Sequence, residues 1–180
     1  GSEFKTTTGR EVVKDSLNAG GLCIGQRQEG SYTVALSGRG QIDLAPQNIR
    51  YATKFYPMFR SKIAKKLKVR LNGSFFNGPE AAGSWTNQSV SPFEKIRVLD
   101  PAADNAIVQE AMQMLVKLYP QLNVIKVDHA WGGLIDTTPD LVPVIDEMAS
   151  VPGLFIASGF SGHGFGIGPG AGLLCAQMVN

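Results

Sequence analysis

Glycines at 159, 162, 164, 166, 168, 170 and 172 follow the short apolar run Leu154-Phe-Ile-Ala157 and precede the apolar tail Leu173 to Val179. The run has the length of a buried strand, and Pro169 suits the opening position of a helix, so the segment reads as strand, glycine loop and helix start. The first N–H groups of a helix have no internal partner and sit at the positive end of its dipole. With Gly168 ahead of Pro169, no Ser, Thr, Asp or Asn caps them. Those donors suit a ligand with an anionic or electron-rich oxygen, and glycines let it approach the backbone closely. A cofactor seat is one reading; the other is a glycine-rich connection ahead of a buried terminal helix.

Familiar glycine motifs fit poorly. Gly166, Gly168 and Ala171 give only a loose G-x-G-x-x-A, with no room after it for a dinucleotide unit and its acidic residue. Gly159-Phe-Ser-Gly-His163 has histidine where a hydrolase elbow needs its last glycine, and no Asp or Glu follows Glu147 to complete that family's triad order. No Gly-Lys-Ser/Thr ending makes a Walker loop. His129 and His163 have no metal-ligand spacing to each other or to a cysteine, so no metal is expected. Cys23 and Cys175, far apart and in apolar settings, read as buried free thiols.

The elements that must position the loop come from the rest of the chain. Gly1-Ser2-Glu3-Phe4 reads as a translated cloning scar on a chain that begins inside a longer protein, and is set aside from fold reasoning. Residues 5–19 are polar and irregular, like the frayed remainder of an element. Strands are expected over 20–25 and 31–36, joined in a hairpin by Gln28-Glu-Gly30, with a third over 41–44. From Pro46 an apolar stripe, Ile49, Ala52, Tyr56, Phe59, Ile63 and Leu67, predicts an amphipathic helix interrupted at Pro57. Its other face carries Lys54, Arg60, Lys62, Lys65, Lys66, Lys68 and Arg70, read as a solvated face rather than an anion site.

Val69 to Phe76 and Phe93 to Leu99 have strand character, and Trp85 in the loop between them reads as a lid, a partner contact or, by preference, a core residue. Asp104 caps a second helix whose apolar face is Ile107, Ala111, Met114, Leu115 and Leu118. Leu122 to Ala130 reads as a strand. Asp136 and Asp140, around Thr137-Thr-Pro139, are explained by Asx-type turn bonding. The expected fold class is α+β, a mixed sheet with flanking helices. A composition of 43% hydrophobic and 18% charged residues is that of a soluble globular chain, and a net charge of +2 argues against a dedicated nucleic-acid partner.

Two ordered blocks, Gly159-Phe-Ser-Gly-His-Gly-Phe165 with Pro169 and Gly172 beyond it, and Trp131-Gly-Gly-Leu-Ile-Asp-Thr-Thr-Pro-Asp-Leu-Val-Pro-Val-Ile145, resemble the C-terminal signature of the FAD-dependent amino-acid and amine oxidoreductases. That family includes D-amino acid oxidase and dehydrogenase, glycine oxidase and sarcosine oxidase. The resemblance runs from about Ser31 to the end. It implies that residues 5–127 are part of a substrate-binding domain and 128–180 the closing part of an FAD-binding domain. It further implies that the loop passes along the flavin, with Ser161, Gly162, His163, Gly164, Phe165, Gly166, Ile167 and Gly168 as cofactor-binding residues and the last helix pointing at the pyrimidine end of the ring.

Many members have arginine where this chain has Ile135, and sarcosine oxidases have lysine where it has Gly166; both grip the substrate carboxylate. Arg97 or Arg39 could replace them, Arg97 being preferred though it also reads as a surface ion pair; Trp131, which walls the site or packs, and His163, which faces the pocket or bonds to the backbone, are the other substrate-side candidates. No acid–base catalytic residue is assigned, because the flavin performs the redox step.

The resemblance implies a C-terminal fragment of an enzyme that oxidises an amine or amino acid by hydride transfer to flavin. FAD belongs to the full-length parent and is expected to be weakly held or absent in this piece, which is expected to be inactive and to self-associate through apolar surface. A cytoplasmic location, at most peripheral to an inner membrane, is expected. The rival classes are a non-catalytic interaction module of the same fold and a nucleotide-binding protein that uses the glycine loop for phosphate.

Overall fold

A computed structural model describes residues 1–60, 67–78, 81, 85, 86 and 88–180. The fold is α+β, as expected, with three sheets and flanking helices. The largest sheet has the order β2-β3-β4-β1-β7, all antiparallel, from β1 (Ser2–Thr6), β2 (Leu17–Ala19), β3 (Leu22–Gln26), β4 (Tyr32–Leu36) and β7 (Val127–Gly132). A parallel pair joins β5 (Gly40–Asp43) to β6 (Leu67–Arg70), and an antiparallel pair joins β8 (Val144–Glu147) to β9 (Phe155–Ser158). Parallel and antiparallel pairing are thus both present, in separate sheets.

One face of the large sheet is apolar because alternate residues point to it. Leu22 and Ile24, Tyr32 and Val34, and Phe4 and Thr6 are all buried. The register puts Ile24 and Phe4 on either side of Val34, and Ala130 beyond Phe4. Val108, Ala111 and Leu115 of α4 (Asn105–Leu118), at helical spacing, complete this core with Leu122 and Ile125. Asp104 caps α4 as expected, accepting the Ala106 N–H at 2.9 Å. Removal from water works against its charge, but the N–H groups of Ala106 and Ile107, the Gln41 amide and Lys68 together hold its carboxyl below the usual range.

Three of the four residues set aside from fold reasoning, Ser2 to Phe4, belong to a strand interior to the sheet. β1 lies between β4 and β7, and Phe4 is only 1% exposed. Nor are residues 5–19 frayed. The buried Tyr32 hydroxyl donates to the Arg10 carbonyl at 2.8 Å and accepts the Val12 N–H at 3.0 Å, while Thr6 Oγ1 accepts the Tyr32 N–H. These bonds hold the segment to Tyr32 of β4, and Val13 next to it is buried.

The 20–25 and 31–36 strands form the expected hairpin. Its turn is closed by Arg27 N–H to the Ser31 carbonyl at 2.8 Å, with Gly30 at φ +81. Glu29 in this turn accepts from Arg27 Nε at 2.9 Å and Ser31 Oγ at 3.1 Å.

Elsewhere local chemistry overrides strand propensity. Phe75 and Phe76 lie in a short helix, α2 (Ser74–Asn77), and β6 ends at Arg70. The predicted 93–99 strand is replaced at its start by α3 (Pro92–Lys95). There Ser91 and Glu94 form a reciprocal capping box with Pro92 in the first turn, and residues 96–100 are irregular. Trp85 is not in the core: it is 47% exposed and meets Phe93 edge to face at 5.6 Å.

Helix α1 (Pro46–Arg60) contains Pro57 and buries none of its residues, leaving Ile49, Tyr56 and Phe59 exposed. Ile63, Lys62, Lys65 and Lys66 lie outside the described residues. Lys68 and Arg70 are on β6 rather than on a helix face, paired with Asp104 and Asp43. Cys23 and Cys175 are free and half-buried.

The chain divides into two compact units, Gly1–Arg50 with Lys62–Leu134, and Tyr51–Ser61 with Ile135–Asn180. β7, which completes the large sheet, lies in the first unit. Among the described residues, no helix is long and apolar enough to cross a membrane.

Replacing Phe4 by alanine should cost about 3–5 kcal/mol in urea unfolding, as for a buried aromatic; a loss under about 1 kcal/mol would show that β1 is dispensable. The Glu29 carboxyl is held down from an ordinary 4.5 to about 2, first by its own backbone N–H, then by Arg27 and Ser31. A depressed acid stabilises the fold fully above the unfolded value and loses that contribution as pH falls through the folded one. Unfolding midpoints of wild type and Glu29→Gln should therefore differ near neutral pH and converge between 4.5 and about 2. A constant gap across that window would contradict the assignment. The exposed position keeps the gap small.

Candidate functional site

In the second unit, β8 and β9 form a hairpin whose return turn is closed by the Gly153 N–H on Glu147 Oε1 at 2.7 Å. β9 ends at Ser158, and the chain then turns sharply. Gly159 at φ +73, Ser161 at φ +53 and Gly162 at φ +84 all occupy the left-handed region. Glycine adopts it freely, whereas Ser161 does so at a cost and must be held.

Two segments hold it. Asp136 Oδ2 accepts the Gly159 N–H at 2.6 Å and the Asp136 carbonyl accepts the Ser161 N–H at 2.9 Å. Ser161 Oγ donates to the Gly159 carbonyl at 3.0 Å and accepts the Thr138 N–H at 3.4 Å. A bridge between Thr137 and Phe160 adds to the same join. The segment opened by Trp131 and the glycine loop are therefore locked together through residues 135–138. Only Asp140 behaves as the turn reading expects, with Oδ1 accepting the Val142 N–H at 3.1 Å. Asp136 reaches across to a residue distant in sequence. It was missed because a local pattern has no signal for such a partner.

The last helix, α5 (Gly164–Val179), starts five residues before Pro169. The open donors are therefore not those after Gly168. His163 occupies the cap position with no side-chain bond, and its carbonyl accepts from both Gly166 and Ile167, at 3.1 and 3.2 Å. Among the described residues, the N–H groups of Gly164 and Phe165 find no acceptor. Pro169, inside the helix, has no N–H to give to the Phe165 carbonyl. The first turn thus presents two free donors at the positive end of a helix.

A methyl group built at Gly166, Gly168, Gly170 or Gly172 would meet nothing within 4 Å. Phe165 is fully exposed. At Gly162 a Cβ would sit 3.8 Å from Ile135 Cγ2, so the side chain at 135 borders the loop.

The predicted cofactor residues Ser161 to Gly168 are thus contiguous, as the turn and first helical turns of one loop. His163 is exposed, and its backbone carries its hydrogen bonds. The other two candidates belong to the first unit. Arg97 is exposed in an irregular stretch. Trp131 is half-buried on β7, opposite Glu3 and stacked on His129 at 5.9 Å. Among the described residues, no group of His, Cys, Asp and Glu is arranged to hold a metal.

A family model described as DAO, FAD dependent oxidoreductase, matches residues 18–178. The chain belongs to this family. Sarcosine oxidase subunit beta of Rhodobacter capsulatus is 32% identical to it over 72 residues, 40% of this chain and 17% of that protein. FAD-dependent oxidoreductase domain-containing protein 1 of Xenopus laevis is 28% identical over 116 residues, 63% of this chain and 23% of that one. Among solved structures, L-amino acid deaminase from Proteus vulgaris superposes with a TM-score of 0.84 at 22% identity over 99% of this chain, and L-proline dehydrogenase from P. horikoshii with 0.60 at 16%. These likenesses establish the fold. The chain spans 41% of the deaminase.

FAD is the cofactor of this family, and the loop suits one part of it. Free N–H donors, bare glycine backbone and an exposed aromatic at 165 match a flat, electron-rich ring edge rather than a phosphate, since Ser161 to Gly168 includes no lysine or arginine.

Two glycines separate the loop's structural and open positions. Gly159→Ala should destabilise by about 2–4 kcal/mol, since its positive φ disfavours a side chain and the methyl would run into Thr138. Gly166→Ala, in open space, should be neutral or stabilise by up to about 1 kcal/mol. Thermal melts of both variants check the contrast; equal costs would refute this loop geometry.

Proposed function

We propose that this chain supplies the substrate-domain portion and the flavin-facing loop and helix of an FAD-dependent oxidoreductase that oxidises an amine or amino acid. The observation that carries the reading is the pair of free N–H donors at Gly164 and Phe165, on the loop locked by Asp136, in a chain matched by the FAD-dependent family over residues 18–178. The sarcosine oxidase and L-amino acid deaminase named among its relatives support the substrate class.

Bound FAD supplies the two-electron acceptor for oxidising a carbon–nitrogen bond. The chain's own task is placement. Gly164 and Phe165 would donate to an electron-rich oxygen of the ring, and the dipole of α5 would favour negative charge there. Gly162, Gly166 and Gly168 keep side chains out of the approach, with Ser161, His163 and Ile167 shaping the backbone between them. In this reading Trp131 and Arg97 serve the substrate, and Ile135 gives the loop's border an apolar side chain where a carboxylate would need a cation. The isolated chain, which offers the ring a seat but little to the nucleotide end, would hold FAD weakly and turn over no substrate.

Amide NMR titrations test this division of labour. Lumiflavin, the ring without its nucleotide, should shift the amides of residues 161–168, and ADP should leave them unmoved. The reverse pattern would replace the flavin reading with phosphate binding.

A further inference from the structure

We infer that Asp136 is the positioning residue of the flavin-facing loop, setting through its carboxylate the geometry in which Gly164 and Phe165 present their N–H groups; the inference rests on the proposed function for its flavin clause. Gly159 is buried, and a buried N–H left without an acceptor is costly enough that the backbone moves to satisfy it. Its acceptor is Asp136 Oδ2 at 2.6 Å, a charge-assisted bond.

Gly159 has little alternative geometry. Its positive φ fixes the direction of the turn, and Thr138 packs against the face where a side chain would stand. Two residues on, Ser161 sits in the left-handed region, held by the Asp136 carbonyl and by its own Oγ bond to the Gly159 carbonyl. From there the chain runs without slack. The Gly162 backbone turns again at φ +84, His163 N–H bonds to the Phe160 carbonyl at 2.9 Å, and α5 begins. The two free donors therefore stand five and six residues from Gly159, at the end of a series of bonded turns whose first member is the carboxylate.

A residue that merely satisfied one N–H would have a local effect; a positioning residue has one that spreads along the loop. Amide hydrogen exchange, read by NMR on the full 180-residue chain, separates the two. Asp136→Ala should speed exchange at both Gly159 and Ser161 by at least about tenfold, although the Ser161 acceptor is a backbone carbonyl that the substitution leaves in place. Asp136→Asn, which keeps an acceptor oxygen without the charge, should fall between wild type and alanine at both amides. Acceleration at Gly159 alone overturns the inference.

If Asp136→Ala loses the dispersed amide spectrum of a folded chain, Asp136→Asn decides by the same criterion. Lumiflavin titration then reads the consequence at the seat: the Gly164 and Phe165 shifts of the wild type should need about tenfold more lumiflavin in the alanine variant, with recovery toward wild type in the asparagine variant. Shifts that persist unchanged in Asp136→Ala overturn this inference alone. A wild-type chain whose loop amides do not respond to lumiflavin overturns the flavin reading beneath it, and the exchange result then stands as a statement about the loop only.

Discussion

A single carboxylate links the two sequence blocks that define the candidate site. Asp136 bonds through its side chain to Gly159 and through its carbonyl to Ser161, so one residue fixes both ends of a sharp turn between a strand and a helix. A bond to a carboxylate is stronger than a neutral one, and together with the carbonyl bond to Ser161 it offsets the strain of a serine in the left-handed region. The turn, in turn, decides where α5 begins. Helix start, free donors and glycine approach are consequences of the same join.

The first unit depends on a different constraint, the need to bury one face of a sheet. Its core is assembled from strands distant in the chain. β1 pairs with β4 and β7, and α4 closes the layer with Val108, Ala111 and Leu115. Tyr32 adds a polar function to an apolar position: its ring fills the core while its hydroxyl satisfies backbone groups of residues 10 and 12. A buried tyrosine needs such partners, and here they order a segment with little apolar character of its own.

What the sequence made legible follows from the range of each signal. Alternation in 31–36 and the Asp104 cap are local, and each appears in the structure at its expected place, whereas Gly164, Gly166 and Gly168, expected in the loop, lie in α5. The Ser91-Pro-Phe-Glu94 box is local too, yet β-propensity of the following residues hid it. Pro169 misled because a proline near a helix start suits the first position, whereas here α5 tolerates it one turn further in. β1 is hidden by its composition: Ser2, Phe4 and Thr6 alternate as a strand should, but Gly1-Ser-Glu-Phe4 equally has the composition of a translated scar. Asp136 was beyond reach, since nothing near it in sequence marks Gly159 as its partner.

The least buried elements are also informative. Neither α1 nor α5 buries a residue, although α1 exposes Ile49, Tyr56 and Phe59 and α5 exposes Phe165, Leu173 and Val179. Helices in proteins owe most of their stability to a packed face, and contiguous apolar surface in water is the signature of a surface that binds something. In α5 the exposed turn is the one that carries the free donors, so apolar cover and polar donors coincide at residues 164 and 165. That combination, an aromatic side chain beside unpaired backbone N–H groups, suits a ligand that is flat and apolar across its faces and electron-rich along its edge. A phosphate would leave the aromatic side chain without cover, and a purely apolar partner would leave the N–H donors unpaired.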